Sequence, residues 1–326
     1  MHTALKALVM SNINSITLIE LFKKSSNSHN TLKKYKKMFE IDLSKKVLKD
    51  GVLKYFIGVK SIKLFSCCYT TDADLAYLKG IQTIDLTDCF LITDAGLAHL
   101  EGVQHINLGY CKKITDAGLV HLKGAHTIIL DECKKITDAG LVHLKGVKNI
   151  HLSDCTNITD TGLEYLKGAH TININGCYKI TDAGLIHLKG VKKIYMEECN
   201  NITDAGLEHL KGVQAINLAF CDDITDVGLA HLKGVNNIDI EGCIRITDAG
   251  LAHLKGVQTI NLEDCYQITD TGLAYLKGVC KIKVTDGYNI SKQGLSYLGD
   301  AEIVLSKRIY AVENLFIHHY KSTSSY

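Results

Sequence analysis
Cysteine returns every 22 residues along this chain, at Cys67, Cys89, Cys111, Cys133, Cys155, Cys177, Cys199, Cys221, Cys243 and Cys265. Between the cysteines runs a near copy of one string, written ITDAGLAHLKGVQTINL at residues 246–262. A unit this short buries no core of its own. It must stack on its neighbours, so the period predicts a solenoid that grows by repetition. The 326 residues would otherwise suggest one or two ordinary domains, and the repeat overrules that expectation.

The unit at 103–124, VQHINLGYCKKITDAGLVHLKG, shows how each copy is built. Val103, Ile106 and Leu108 carry the pattern of a short strand with one buried face. Cys111 and Ile114 point inward as the chain turns. Thr115 and Asp116 stand where a helix begins, and either side chain suits its free N–H groups. Leu119 and Leu122 give that helix a buried stripe. Lys123 suits its negative end, and Gly124 suits a left-handed stop.

The pattern V-x-x-I-x-L-x-x-C-x-x-I resembles the leucine-rich repeat, with cysteine at the position often held by asparagine. The tail ITDAGLxHL is similar to the cysteine-containing leucine-rich repeats of F-box substrate receptors. The resemblance covers ten regular units at 59–278. It implies an α/β fold, a curved leucine-rich-repeat solenoid with a parallel sheet on the concave face and short helices on the convex face. About eleven strands give an inner wall of roughly 50 Å. Residues 40–58 read as a worn first unit and 279–300 as a degraded last one, with Gly287 for the cysteine and Lys292 for the aspartate. The solenoid is therefore expected over 40–300. Residues 1–39 are expected to form a helical N-terminal cap in the place of an F-box-like segment. Residues 301–326 are expected as a C-terminal cap and tail, with Ile309, Val312, Leu315 and Phe316 at helical spacing.

A net charge of +2 gives no overall field toward nucleic acid or membrane. No apolar run is long enough to span a bilayer, and the N-terminus does not read as a signal peptide. The cysteine ladder reads as a column of free, buried thiols, which implies a reducing cytoplasmic compartment, the host cell's if the source is a microbe or virus. Eleven lysines at 21–60 suit the charged outer face of a cap better than a nucleic-acid patch.

Neither ladder reads as a metal site. Zinc needs four convergent ligands, and a line of thiols supplies none. The histidines His99, His121, His143, His187, His209, His231 and His253 alternate with tyrosines at Tyr77, Tyr165, Tyr275 and Tyr297. That exchange fits packing between units. No nucleotide loop, metalloprotease motif or nucleophile elbow is present, so the expectation is a non-enzyme with no cofactor.

What differs between copies lies around the strand. Three variable columns hold twelve acids and two lysines. Glu241 and Glu263 stack at strand spacing, Asp131, Glu132 and Asp154 form a second cluster, and Glu197, Glu198 and Asp264 stand in the same columns. Tyr110, Tyr195 and Phe220 are aromatic anchors among them. These eleven residues are the candidate surface for a protein partner, a basic one by charge. The leading expectation is a protein–protein interaction scaffold. The alternative is a substrate-recognition subunit of a ubiquitin ligase that takes a Skp-type adaptor on its N-terminal segment.

Overall fold
The computed structural model describes residues 40–48, 51–285 and 289–306. Thirteen strands, from β1 (Glu40–Asp42) to β13 (Glu302–Ser306), form one parallel sheet in sequence order. Each pairs with the next in register, so that Ile84 faces Ile106 and Ile106 faces Ile128. The sheet has two strands more than the eleven expected. The worn first unit supplies β1, and the sheet takes one strand beyond residue 300. The expected N-terminal cap and the helix around Val312 lie outside the described residues.

Behind the strands of the regular units lies one turn of α-helix followed by one turn of 3-10 helix, as in Asp116–Leu119 and Val120–Leu122, while the first unit keeps only the 3-10 turn and the last two only the α-helix. Valine, isoleucine, leucine and cysteine from every unit merge into one continuous core. That core explains the cysteine. The Cys111 thiol is buried and donates to the Leu86 carbonyl of the preceding unit at 3.1 Å. The same carbonyl takes the Cys89 N–H at 3.0 Å. A small apolar side chain with one weak donor fits there, because it fills the core and satisfies a buried oxygen at once.

Burial pushes the thiols of Cys111, Cys199, Cys221 and Cys265 up to about 12. All twelve cysteines are free, ten of them buried, with Cys68 half-buried and Cys280 exposed. In the folded chain at about pH 8, iodoacetamide should therefore modify Cys280 and then Cys68. The ten ladder thiols should react only after unfolding. Mass spectrometry of the native and denatured protein counts the two classes, and early labelling of Cys133 or Cys155 would contradict the buried ladder.

A second ladder joins the helices. Threonine is the N-cap residue, and the Thr137 hydroxyl accepts the Ala139 N–H at 3.2 Å. Aspartate, the other expected cap, works across units instead. Asp116 accepts the Thr137 N–H at 2.8 Å and the Thr137 hydroxyl at 2.6 Å. The same pair recurs from Asp72 with Thr93 to Asp270 with Ser291. It stops where Lys292 replaces the aspartate. The ladder also dictates the glycine of the repeat. A Cβ on Gly140 would lie 2.4 Å from Asp116 Oδ1 and 2.9 Å from Leu119 Cδ1.

Candidate protein-binding face
Alternation along each strand sends one residue inward and its two neighbours onto the concave face. Three columns thus lie on the concave face: the residue before the strand isoleucine, the residue after it, and the residue two further on. The next residue along belongs to the edge loop. It is held in the left-handed region, with φ of 63° at Tyr110, 61° at Glu132, 57° at Asp154, 58° at Glu198, 57° at Phe220 and 55° at Asp264. Glycine takes this position at Gly176 and Gly242. A side chain there costs about 1 kcal/mol or more in backbone strain. Aspartate tolerates it through local hydrogen bonds, but tyrosine and phenylalanine have no such relief. Tyr110 and Phe220 are 47% and 39% exposed, so burial does not offset that cost. Phe220 lies across Gly242, where a Cβ would come within 2.5 Å of its ring.

The eleven candidate residues divide into groups. Asp131, Glu132 and Asp154 adjoin, and Gly176 leaves Asp154 open to Glu198. Burial raises the Asp154 carboxyl above the usual range, and the charges of Glu132 and Glu198 add to it. Glu197 is raised by burial, then by Glu198 and Asp239. Glu241 is raised by burial, partly offset by an Asn261 hydrogen bond, with Glu263 and Asp239 pushing the same way as burial. Lys134 lies 3.0 Å from Glu132 and Lys283 lies 3.7 Å from Glu263. Such exposed pairs neutralise little. Tyr110 and Phe220 stand five units apart, roughly 24 Å along the sheet, so they are separate features and not one anchor.

One column proves more structural than its variability suggested. Asp85, Asn107, Asn173, Asn217, Asp239 and Asn261 each accept the N–H two residues further on, at 2.8–3.1 Å. This is an Asx turn closing the strand, and it explains the preference for Asn and Asp. His151 and Tyr195 cannot close it. There the preceding unit substitutes, with Asp131 accepting the Ser153 N–H at 2.9 Å and Asn175 accepting the Glu197 N–H at 3.0 Å. Asp131 therefore has a structural duty as well as its place in the acidic group. His151 and Tyr195 are left without one.

The reading of variable columns missed the residue before the isoleucine. Lys193, Asn237, Thr259 and Lys281 stand there and line a concave depression of about 370 Å³ with Tyr195, Asn217, Asp239, Asn261 and Lys283. Ala215 gives the depression its floor, because a small side chain stands where the neighbouring strands carry Lys193 and Asn237. Strict period-two alternation was the signal that marks this column. The lysines make this stretch of the face mixed in charge, with the acids along its loop edge. The seven histidines of the helix column are half-buried between units, and His121 Nδ1 lies 2.9 Å from Glu101. Among the described residues no group of three or more His, Cys, Asp or Glu is placed to hold a metal, and no helix is long and apolar enough to cross a membrane.

These units, thirteen strands and stacked short helices have the fold of a leucine-rich-repeat solenoid. The leucine-rich-repeat family profile itself matches residues 147–167. No curated protein matches the sequence. Among solved structures the chain is similar to the yeast complex of Rad7 and Elc1, with a TM-score of 0.62, 14% identity and coverage of 91% of this chain and 89% of that one. It is also similar to an internalin, inlF, from Listeria monocytogenes, with a TM-score of 0.52, 14% identity and coverage of 88% and 94%. The Toll–Spatzle complex of Drosophila gives a TM-score of 0.54 at 11% identity, covering 85% of this chain and 40% of that one. At these identities the likeness is one of fold.

Proposed function
We propose that this chain is a non-enzymatic protein-interaction scaffold that binds a basic segment of a partner protein along its concave face and acidic loop edge. The observation that carries this reading is the set of half-buried carboxylates at Asp154, Glu197 and Glu241, each held above its usual pKa by burial and by neighbouring acids. Free, they penalise their own ionisation. A cationic side chain laid among them relieves that penalty. Tyr195 supplies an aromatic wall beside the Ala215 depression, and Tyr110 and Phe220 extend the contact outward at strained positions. Two of the similar solved structures, Rad7–Elc1 and Toll–Spatzle, are complexes with a second protein, which fits a binding role for the fold.

The sign of the pH dependence follows. For a carboxyl whose folded pKa is raised, the free chain is favoured below the unfolded value, about 4, and that advantage is lost as pH rises through the folded value. Binding of a cation works the other way, since it favours the ionised form. A dye-labelled oligo-arginine peptide should therefore bind the full chain more tightly as pH rises from about 4 to about 7. Fluorescence anisotropy across that range checks it, and a flat or falling affinity contradicts the acidic site. A reducing compartment suits ten buried thiols on one column. The second reading, a ubiquitin-ligase receptor, rests on residues 1–39, outside the described residues. Failure of the full chain to bind a Skp-type adaptor removes it.

A further inference from the structure
The edge loop holds two positions directly after the ladder cysteine, and their character changes along the solenoid. In the first units they include Tyr69, Phe90 and Leu91, which are 60%, 39% and 38% exposed. In the next two units they are Lys112, Lys113, Lys134 and Lys135, all exposed. Thr156 and Asn157 follow and interrupt the run before the single cation of the next unit, Lys179. Side chains at the second position reach one another between units, as Lys179 Nζ does to Asn157 Oδ1 at 3.0 Å and Arg245 to Asp223 at 3.0 Å. Tyr69, Leu91, Lys113 and Lys135 therefore form one row.

That row forgoes a bond that the copies with an amide side chain, Asn157, Asn201, Gln267 and Asn289, make. At the same position Asn157 donates to the Lys134 carbonyl at 2.8 Å, Asn201 to the Tyr178 carbonyl at 2.6 Å and Asn289 to the Tyr266 carbonyl at 2.6 Å. Where an asparagine or glutamine stands here, it ties its loop to the preceding one, whereas Lys179 and Arg245 reach the side chain of the preceding unit instead. Four successive units instead carry bulky apolar or cationic side chains that cannot close this bond with an amide. Like charges on neighbouring rungs also repel. Of the four lysines, Lys134 pairs with Glu132 at 3.0 Å, and the others form no ion pair among the described residues. Scaffold needs explain neither the apolar cluster nor the lysines beside it.

We propose that this edge binds an extended acidic peptide segment carrying a bulky apolar residue beside two or three carboxylates. Four units span roughly 15 Å, the length of about five extended residues. The apolar residue packs on Tyr69, Phe90 and Leu91, and the carboxylates meet Lys112, Lys113 and Lys135. The basic run lasts only two units and is bounded by Asp88 and Asp154, so a continuous phosphate backbone would run onto like charge. It also contains no arginine, the side chain best matched to phosphate. This edge takes a partner charge opposite to that of the concave acids, and it touches them at the Lys134–Glu132 pair.

The test is anisotropy of a dye-labelled Leu-Phe-Glu-Glu-Asp peptide with the full chain at low salt. The expected result is binding roughly tenfold tighter than that of a peptide with lysine for its acids. Lys112→Glu with Lys113→Glu and Lys135→Glu should lose about tenfold, the Lys→Gln set somewhat less, and Tyr69→Ser with Leu91→Ser severalfold. Lys233→Gln, at an exposed helix end of a later unit, should leave binding intact. Equal binding of the two peptides, or affinity that survives the lysine substitutions, overturns the proposal. Tighter, lysine-dependent binding of oligo-dT or of phosphatidylserine vesicles overturns it in favour of a phosphate ligand. Circular dichroism confirms that each variant is folded.

Discussion

Gly140→Ala and Asp116→Ala are each expected to cost about 2–3 kcal/mol of stability, and the double variant is expected to cost less than their sum. Asp116 takes two hydrogen bonds from Thr137, its N–H and its hydroxyl. Removing the carboxylate leaves a helix N-terminus without its anchor to the preceding unit. The Cβ that Gly140→Ala adds acts on the same carboxylate from the other side, since it would lie 2.4 Å from Asp116 Oδ1. Once the carboxylate is gone, the tightest contact left is Leu119 Cδ1 at 2.9 Å, the far end of a side chain rather than backbone. The two costs therefore overlap, and a double-mutant cycle in urea measures the overlap. Strict additivity would mean that glycine and carboxylate do not meet. Asp116→Asn keeps one acceptor and should fall between wild type and alanine.

Glu197→Lys combined with Glu241→Lys is expected to weaken binding of the oligo-arginine peptide by about a hundredfold. Both carboxylates are half-buried beside like charge. A lysine at either place repels an incoming cation and is attracted by Asp239 and Glu198, so the folded chain loses little or gains. Affinity and thermal stability should move apart in one variant, which separates lost binding from lost folding. A variant that melts early and binds weakly would show that these acids serve the fold.

The solenoid was legible because periodicity is a property of the sequence itself. Cys111, Ile106, Leu108, Leu119 and Leu122 all occupy the buried places their spacing implied. The Asp–Thr ladder was not legible. Thr115 and Asp116 are adjacent, and adjacency suggested two candidates for one cap. Their division of labour depends on which unit lies beside them, and only stacking reveals that. The Asx turn was hidden for a related reason. Asn and Asp alternate in its column, and the alternation resembled drift on a surface although either side chain accepts the same N–H. The left-handed backbone at Tyr110 and Phe220 had one signal, the glycines at Gly176 and Gly242 in the same column. Lys193 and Lys281 were overlooked although alternation places them on the concave face beside Tyr195.

The central claim is that the concave face binds a protein partner. A photo-crosslinking amino acid in place of Tyr195, with Val142 on the convex face as the control position, tests it most directly. Val142 is 37% exposed and Tyr195 is half-buried on the concave face, so both positions can be reached by a partner. In cells, the account predicts covalent protein adducts from position 195 that map to basic segments, with none of the same adducts from position 142. Adducts from position 142 alone, or from neither position while the intact chain still captures its partner, would contradict it.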